Sequence, residues 1–315
     1  LESQAELAQV SVARGETAEA VRLLESLMAR SIDEYGLIHP LSKTLANRVE
    51  AIQVATGRGQ EAALARSKRC ESIAQLASDW YSGAQECLLA AADLYISLGD
   101  DERAEQTLIR FQFIETAKAT ASEEGLARSD RLLAEIEFRS NRIDQALKRI
   151  DTRLERLGPA DPSALSLRFS KTRLLMDDGA LQAAAMEMAT YADTAKTIWA
   201  DDPRQLAIFR TQEAELKQRL GDLSGAEQLF KLTLSDSIDK LSLGDPLGMV
   251  LRNNLGQLYE MMGLFEEAEP LLKDAIALAE NQLGAGHPET ARLQNNLALL
   301  YESQGRFDFA EPLYE

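Results

Sequence analysis

Histidine and cysteine are almost missing from this chain of 315 residues, which has two of each. That is too few for a fold held by several disulfides. No stretch approaches the roughly 18 consecutive apolar residues of a membrane span, and no basic-then-apolar leader opens the chain. Leu1 stands where an initiator methionine would, which leaves room for a removed leader. The short motifs of catalysis are missing too: no G-x-x-x-x-G-K-[ST], no G-x-G-x-x-G, no H-E-x-x-H and no C-x-x-C. Hence no enzymatic activity, no cofactor and no metal are expected. Basic residues are outnumbered, 34 against 51 acidic, leaving a net charge of −17 that repels phosphate backbones and anionic lipid. Neither nucleic acid nor membrane is therefore expected as a partner. Aromatics are few, at 6%, and alanine takes much of their place, as close helix packing requires.

What is present is a period. Gly15, Gly57, Gly99, Asn141, Gly179, Gly221, Gly263 and Gly305 are spaced by 42 residues, except for one step of 38. Before Gly263, Leu251, Leu255, Leu258 and Met262 form one helical stripe, and Phe265, Ala268, Leu272, Ala275, Ile276 and Ala279 form a second after it. Glycine or asparagine between two such stripes marks a left-handed residue closing one helix so that the chain can reverse. Five residues after each turn stands alanine: Ala20, Ala62, Ala104, Ala146, Ala184, Ala226, Ala268 and Ala310. A small side chain there lets the second helix press on the first. Pro40, Pro162, Pro203, Pro246 and Pro288 precede turns by about 17 residues, where proline starts a helix without losing a bond. The spacing predicts eight helical hairpins in a row, an all-α solenoid read as one domain over residues 1–315.

The run Leu255-Gly256-x-x-Tyr259 followed by Ala268-x-x-x-Leu272 resembles the tetratricopeptide pattern. Leu297-Ala298-x-x-Tyr301 with Ala310-x-x-x-Tyr314, and Ala226-x-x-x-Phe230, repeat it. With Asn-Asn ahead of Leu-Ala-x-Leu-Tyr and a repeat longer than the usual 34 residues, it is similar to the repeats of kinesin light chains and their many bacterial relatives. The match is specific in repeats seven and eight and looser in one to five. The resemblance implies a right-handed superhelix that binds a protein or peptide in its concave groove as a non-catalytic scaffold. It equally implies, as an alternative, the sensor or regulatory part of a larger signalling protein or of a repeat-fused peptidase.

Several features depart from the rule. Repeat four lacks about one helical turn in its second helix and continues into Gly158-Pro-Ala-Asp-Pro162. The last repeat stops ten residues past its turn, at Glu315, and the first has no cap. Arrays normally cover such ends, so a piece of a longer protein is expected, with self-association through the uncapped seam as one outcome. Cys70 is placed about eleven residues before a turn at Trp80–Gly83 and Cys87 about five after it. At about 1.5 Å per residue, the two are displaced by roughly 9 Å along the axis, too far for a disulfide. Two buried thiols in a reducing, cytoplasmic compartment are the expectation.

Candidate site residues come from the resemblance, in which residues nine or ten before each turn look into the groove. These are Asn253, Asn254, Asn295 and Asn296, with Gln257 one turn on. An amide donates and accepts, and so bonds an extended peptide's backbone; alternatively these amides bond one another as a ladder between repeats. Carrying the same face to other repeats gives Arg128, Arg131 and Arg173, with Arg48 earlier, as a clamp for carboxylates; Glu135 among them makes internal pairing an equal reading. The row Arg168, Arg210 and Arg252 keeps a strict period and reads as structural. His39 and His287 sit in Gly-x-x-His-Pro loops and read as loop-closing. Asp100-Asp101, Asp177-Asp178 and Asp201-Asp202 read as helix caps.

Overall fold

The structure, a computed structural model, describes residues 6, 8, 11, 16–35, 40–55, 59–76, 82–117, 121–159, 161–240 and 245–314. Among these, every regular element is an α-helix. The helices are α1 (Thr17–Tyr35), α2 (Pro40–Ala55), α3 (Gly59–Leu76), α4 (Ser82–Ser97), α5 (Asp101–Thr116), α6 (Glu123–Arg139) and α7 (Ile143–Leu154). After them come α8 (Pro162–Asp177), α9 (Leu181–Ile198), α10 (Pro203–Arg219), α11 (Leu223–Lys240), α12 (Leu247–Met261), α13 (Phe265–Leu283), α14 (Pro288–Ser303) and α15 (Phe307–Tyr314). They fall into two compact units, Leu1–Leu157 with α1 to α7 and Gly158–Glu315 with α8 to α15. Within each unit consecutive helices pack antiparallel as hairpins, each hairpin packs on the next, and the first helices of neighbouring hairpins touch. This is the architecture of an α-solenoid. Among the described residues no helix is long and apolar enough to cross a membrane.

The hairpin turns stand where the period puts them. Gly99, Asn141, Gly179, Gly221, Gly263 and Gly305 all have positive φ, Asn141 at 60° being the non-glycine among them. The residue after each turn donates its N–H to the carbonyl five residues back: Asp100 to Tyr95, Arg142 to Glu137, Ala180 to Leu175, Asp222 to Lys217, Leu264 to Tyr259 and Arg306 to Tyr301, all at 2.8–2.9 Å. One motif thus satisfies the last carbonyls of all six first helices. Gly15 and Gly57 lie outside the described residues. The eight alanines are all buried, none more than 2% exposed. Pro162, Pro203 and Pro288 open α8, α10 and α14, while Pro246 sits one residue before α12. α7 has 12 residues where α9 and α11 have 18, so the second helix of repeat four is shorter by somewhat more than the one turn expected. The two units divide in the loop just beyond it.

The core of each unit is the row of apolar stripes from facing helices. In the second unit Phe230, Leu251, Leu255, Leu258, Leu272 and Leu297 interlock. In the first, Leu88, Tyr95, Leu108, Phe111, Leu133 and Ile136 do so.

The cysteines overturn the expectation of free thiols: Cys70 and Cys87 form a disulfide, with Cα atoms 5.6 Å apart. Cys70 lies on α3 and Cys87 on α4. Their Cα separation puts them level on the two packed helices, so the offset of roughly 9 Å along the axis does not hold. The argument from the cysteines for a reducing compartment goes with it.

Candidate functional site

In the second unit, α8, α10, α12 and α14 are the first helices of consecutive hairpins, and their side chains decide what one face offers a ligand. Nine residues before the turns of the last three hairpins stand Gln212, Asn254 and Asn296. Each donates its amide N–H to the first helix of the hairpin before it. Gln212 Nε2 reaches the Phe169 carbonyl at 3.0 Å, Asn254 Nδ2 reaches Glu215 Oε1 at 2.6 Å, and Asn296 Nδ2 reaches Asn253 Oδ1 at 2.7 Å. Asn253 is 1% exposed, and it points its own N–H groups at Asn254 Oδ1 (3.3 Å) and Gln257 Oε1 (3.4 Å). A ladder of amides thus holds neighbouring hairpins in register, because a buried amide left unpaired would cost its desolvation.

The structure brings Asn253, Asn254, Asn296 and Gln257 together and engages them with one another or with Glu215. Asn295, in the register of the buried Asn253 one repeat on, lies on the last of the first helices and is exposed there. Gln257 is half-buried and accepts at long range, so its own N–H groups stay available. Glu215 bears an electrostatic consequence of the ladder. Burial pushes its carboxyl above the usual range, against the Asn254 hydrogen bond and the nearby Arg219, which pull it down.

The arginines are less free than a clamp requires. Arg128 is exposed but ion-paired with Asp93 of α4, and Arg131, Arg173 and Arg48 are each engaged as well. The periodic row serves the array: Arg168 bonds Glu187 at 2.7 Å, Arg210 bonds Asp236 at 2.7 Å, and Arg252 donates to the Gly248 carbonyl at 2.8 Å. His287 caps α14, its Nδ1 accepting from the Glu289 N–H at 3.1 Å, and Asp100 and Asp202 cap α5 and α10. His39 lies outside the described residues.

Sequence reasoning missed a buried charge cluster in the first unit. Asp130 and Glu137 on α6, 6% and 3% exposed, face Arg149 and Arg153 on α7. Arg153 Nε donates to Asp130 at 2.6 Å and its Nη1 to Glu123 at 3.0 Å. Arg149 Nη2 donates to Glu137 at 2.6 Å, and Gln112 Nε2 of α5 to Asp130 at 2.7 Å. The signal for it was present: Arg149 and Arg153 share a face of α7 with the buried Ala146 and Ile150, where a two-sided helix would place apolar residues.

With the geometry in view, the comparisons with known proteins agree. The family described as tetratricopeptide repeat matches residues 248–315 and, through a second profile, residues 1–26. Among curated proteins no sequence matches the chain. A tetratricopeptide repeat protein from Parabacteroides merdae shares the fold at a TM-score of 0.55 and 17% identity, over 95% of this chain and 98% of its own. The nearly identical TPR-like repeats of a kinesin light chain from Podosopora anserina give a TM-score of 0.51 and 22% identity, over 62% of this chain and 93% of theirs. A Rap protein complexed with Competence and Sporulation Factor gives 0.55 and 12%, over 99% and 95%. At such identities the likeness is one of fold.

Proposed function

We propose that this chain, a tetratricopeptide-repeat protein, is a non-catalytic scaffold that holds an extended segment of another protein against the first-helix face of its hairpins. The observation that carries the reading is the amide ladder. It fixes α8, α10, α12 and α14 side by side, so that one continuous polar face is rigid before any partner arrives, and a preformed face binds without the cost of ordering itself. On that face Gln257 and the exposed Asn295 supply donors and an acceptor for a peptide backbone. Asn253, Asn254 and Asn296 support them from below. Arg128, Arg131 and Arg173 keep a lesser part, steering an acidic partner from positions already engaged within the protein. The eight hairpins act in this reading as one array. The Rap protein of like fold, complexed with its factor, is consistent with it.

Panning a display library of unstructured peptides against the protein tests the reading. Enriched peptides should slow hydrogen exchange in α12 and α14. A library that yields nothing, or protection confined to second helices, contradicts it.

A further inference from the structure

The second helices of the first unit carry a different chemistry. Between α5, α6 and α7 lies an open cleft of about 530 Å3 lined by Arg142, Lys148, Arg149, Arg153 and Arg156. Three carboxylates, Glu105, Asp130 and Glu137, share it. Each of the three is already spent on an arginine: Glu105 on Arg142 at 3.4 Å, Asp130 on Arg153 and Arg149, and Glu137 on Arg149. These pairs hold the guanidinium groups still without exhausting them. A guanidinium has five N–H donors, and Arg153 gives one to Asp130 and one to Glu123. Lys148 and Arg156 are exposed and make no ion pair among the described residues. In a protein of net charge −17, this is a local surplus of positive charge built on a buried, ordered foundation.

From this geometry we infer that the cleft binds an acidic polypeptide segment, one with carboxylates on alternate residues. The spacing favours a chain over a single anion. Arg142, Arg149, Arg153 and Arg156 fall at i, i+7, i+11 and i+14, one face of α7 and its flanks, and at about 1.5 Å per residue they extend over roughly 20 Å. An extended strand covers that length in about six residues and presents alternate side chains every 6–7 Å. Along the axis the steps are about 10, 6 and 4–5 Å, and the exposed Lys148 and Arg156 lie about 12 Å apart, close to two alternate-residue steps of an extended chain, so carboxylates at that separation meet them with charge-assisted bonds, while Arg153 stays buried on Asp130 and Glu123. The site presents basic residues of α7, a second helix, and its flanks, and none of the amides of α12 and α14, so it stands independently of the function proposed above.

The test is fluorescence anisotropy with a labelled octapeptide of alternating glutamate and serine, and the same peptide with glutamine for each glutamate. The protein should bind the glutamate peptide at least tenfold more tightly than the glutamine one. The double variant Lys148→Glu with Arg156→Glu, both exposed positions, should lose at least tenfold in affinity with an unchanged melting temperature. If that variant fails to fold, Lys148→Gln alone should still weaken binding severalfold. Absence of binding, equal binding of the two peptides, undiminished binding by a folded variant, or binding of a single-stranded RNA octamer in place of the peptide would each overturn the assignment. The octapeptide touches neither Gln257 nor Asn295 in this scheme, so its failure leaves the first-helix reading standing, and the reverse holds too.

Discussion

At Glu215 a carboxylate is half-buried because Asn254 needs an acceptor on the helix before it. Burial raises its folded pKa above the ordinary 4.5, so the fold binds its proton more tightly than the unfolded chain does. Stability contributed by the neutral form is then full below about pH 4.5 and is lost as pH rises through the folded value. Glu215→Gln keeps the oxygen that Asn254 donates to and removes the charge. Its melting temperature should exceed the parent's at pH 7, and the gap should close as pH falls below 4.5. A gap that is constant with pH would show that titration of Glu215 is not its source, and a Gln variant less stable at pH 7 would show that ionised Glu215 stabilises the ladder. Elsewhere at this scale, backbone chemistry was legible in the sequence. Positive φ at a fixed spacing admits few residue types, so Gly99 through Gly305 could be placed without coordinates.

At the scale of the helix, close approach depends on small residues. A Cβ built on Gly256 would come within 2.8 Å of Leu272 and 3.5 Å of the Ala268 carbonyl, so α12 and α13 nearly touch there. Ala268, fully buried on α13, has no room to grow. Ala268→Leu should cost about 1–3 kcal/mol through overpacking, read from the denaturant midpoint, whereas Leu at the exposed Gln228 of α11 should cost nothing comparable. Equal effects at the two positions would remove the basis for the helix register. Helix lengths were harder to read than helix faces. Counting both helices from a turn at Trp80–Gly83 set Cys70 and Cys87 roughly 9 Å apart along the axis, whereas their Cα atoms lie 5.6 Å apart in a disulfide. The partners of Arg149 and Arg153 sit on another helix, 12 and 23 residues away, and no local pattern in the sequence reports those pairings.

At the scale of the molecule, repeats contribute stability largely through neighbour-to-neighbour interfaces, and the amide ladder is a recurring part of those interfaces in the second unit. The candidate amides were legible as a group, since they share a register, but their division of labour was not. Whether an asparagine of a pair is covered depends on a residue 39 to 43 positions away on the neighbouring hairpin: Asn253 is buried under Asn296, while its counterpart Asn295, on the last of the first helices, is exposed. The division is therefore the point at which the scaffold account is most exposed. Melting temperature and affinity for a display-selected peptide, measured together on Asn295→Ala and Asn296→Ala, test it most directly. Asn296→Ala should lower stability by about 1–3 kcal/mol, the cost of stranding the buried Asn253, and leave the affinity of the folded protein within twofold. Asn295→Ala should leave melting unchanged and weaken the peptide severalfold, the worth of a hydrogen bond of about 0.5–1.5 kcal/mol. The reverse pattern, with Asn296→Ala weakening the peptide at constant stability and Asn295→Ala silent, would contradict the account.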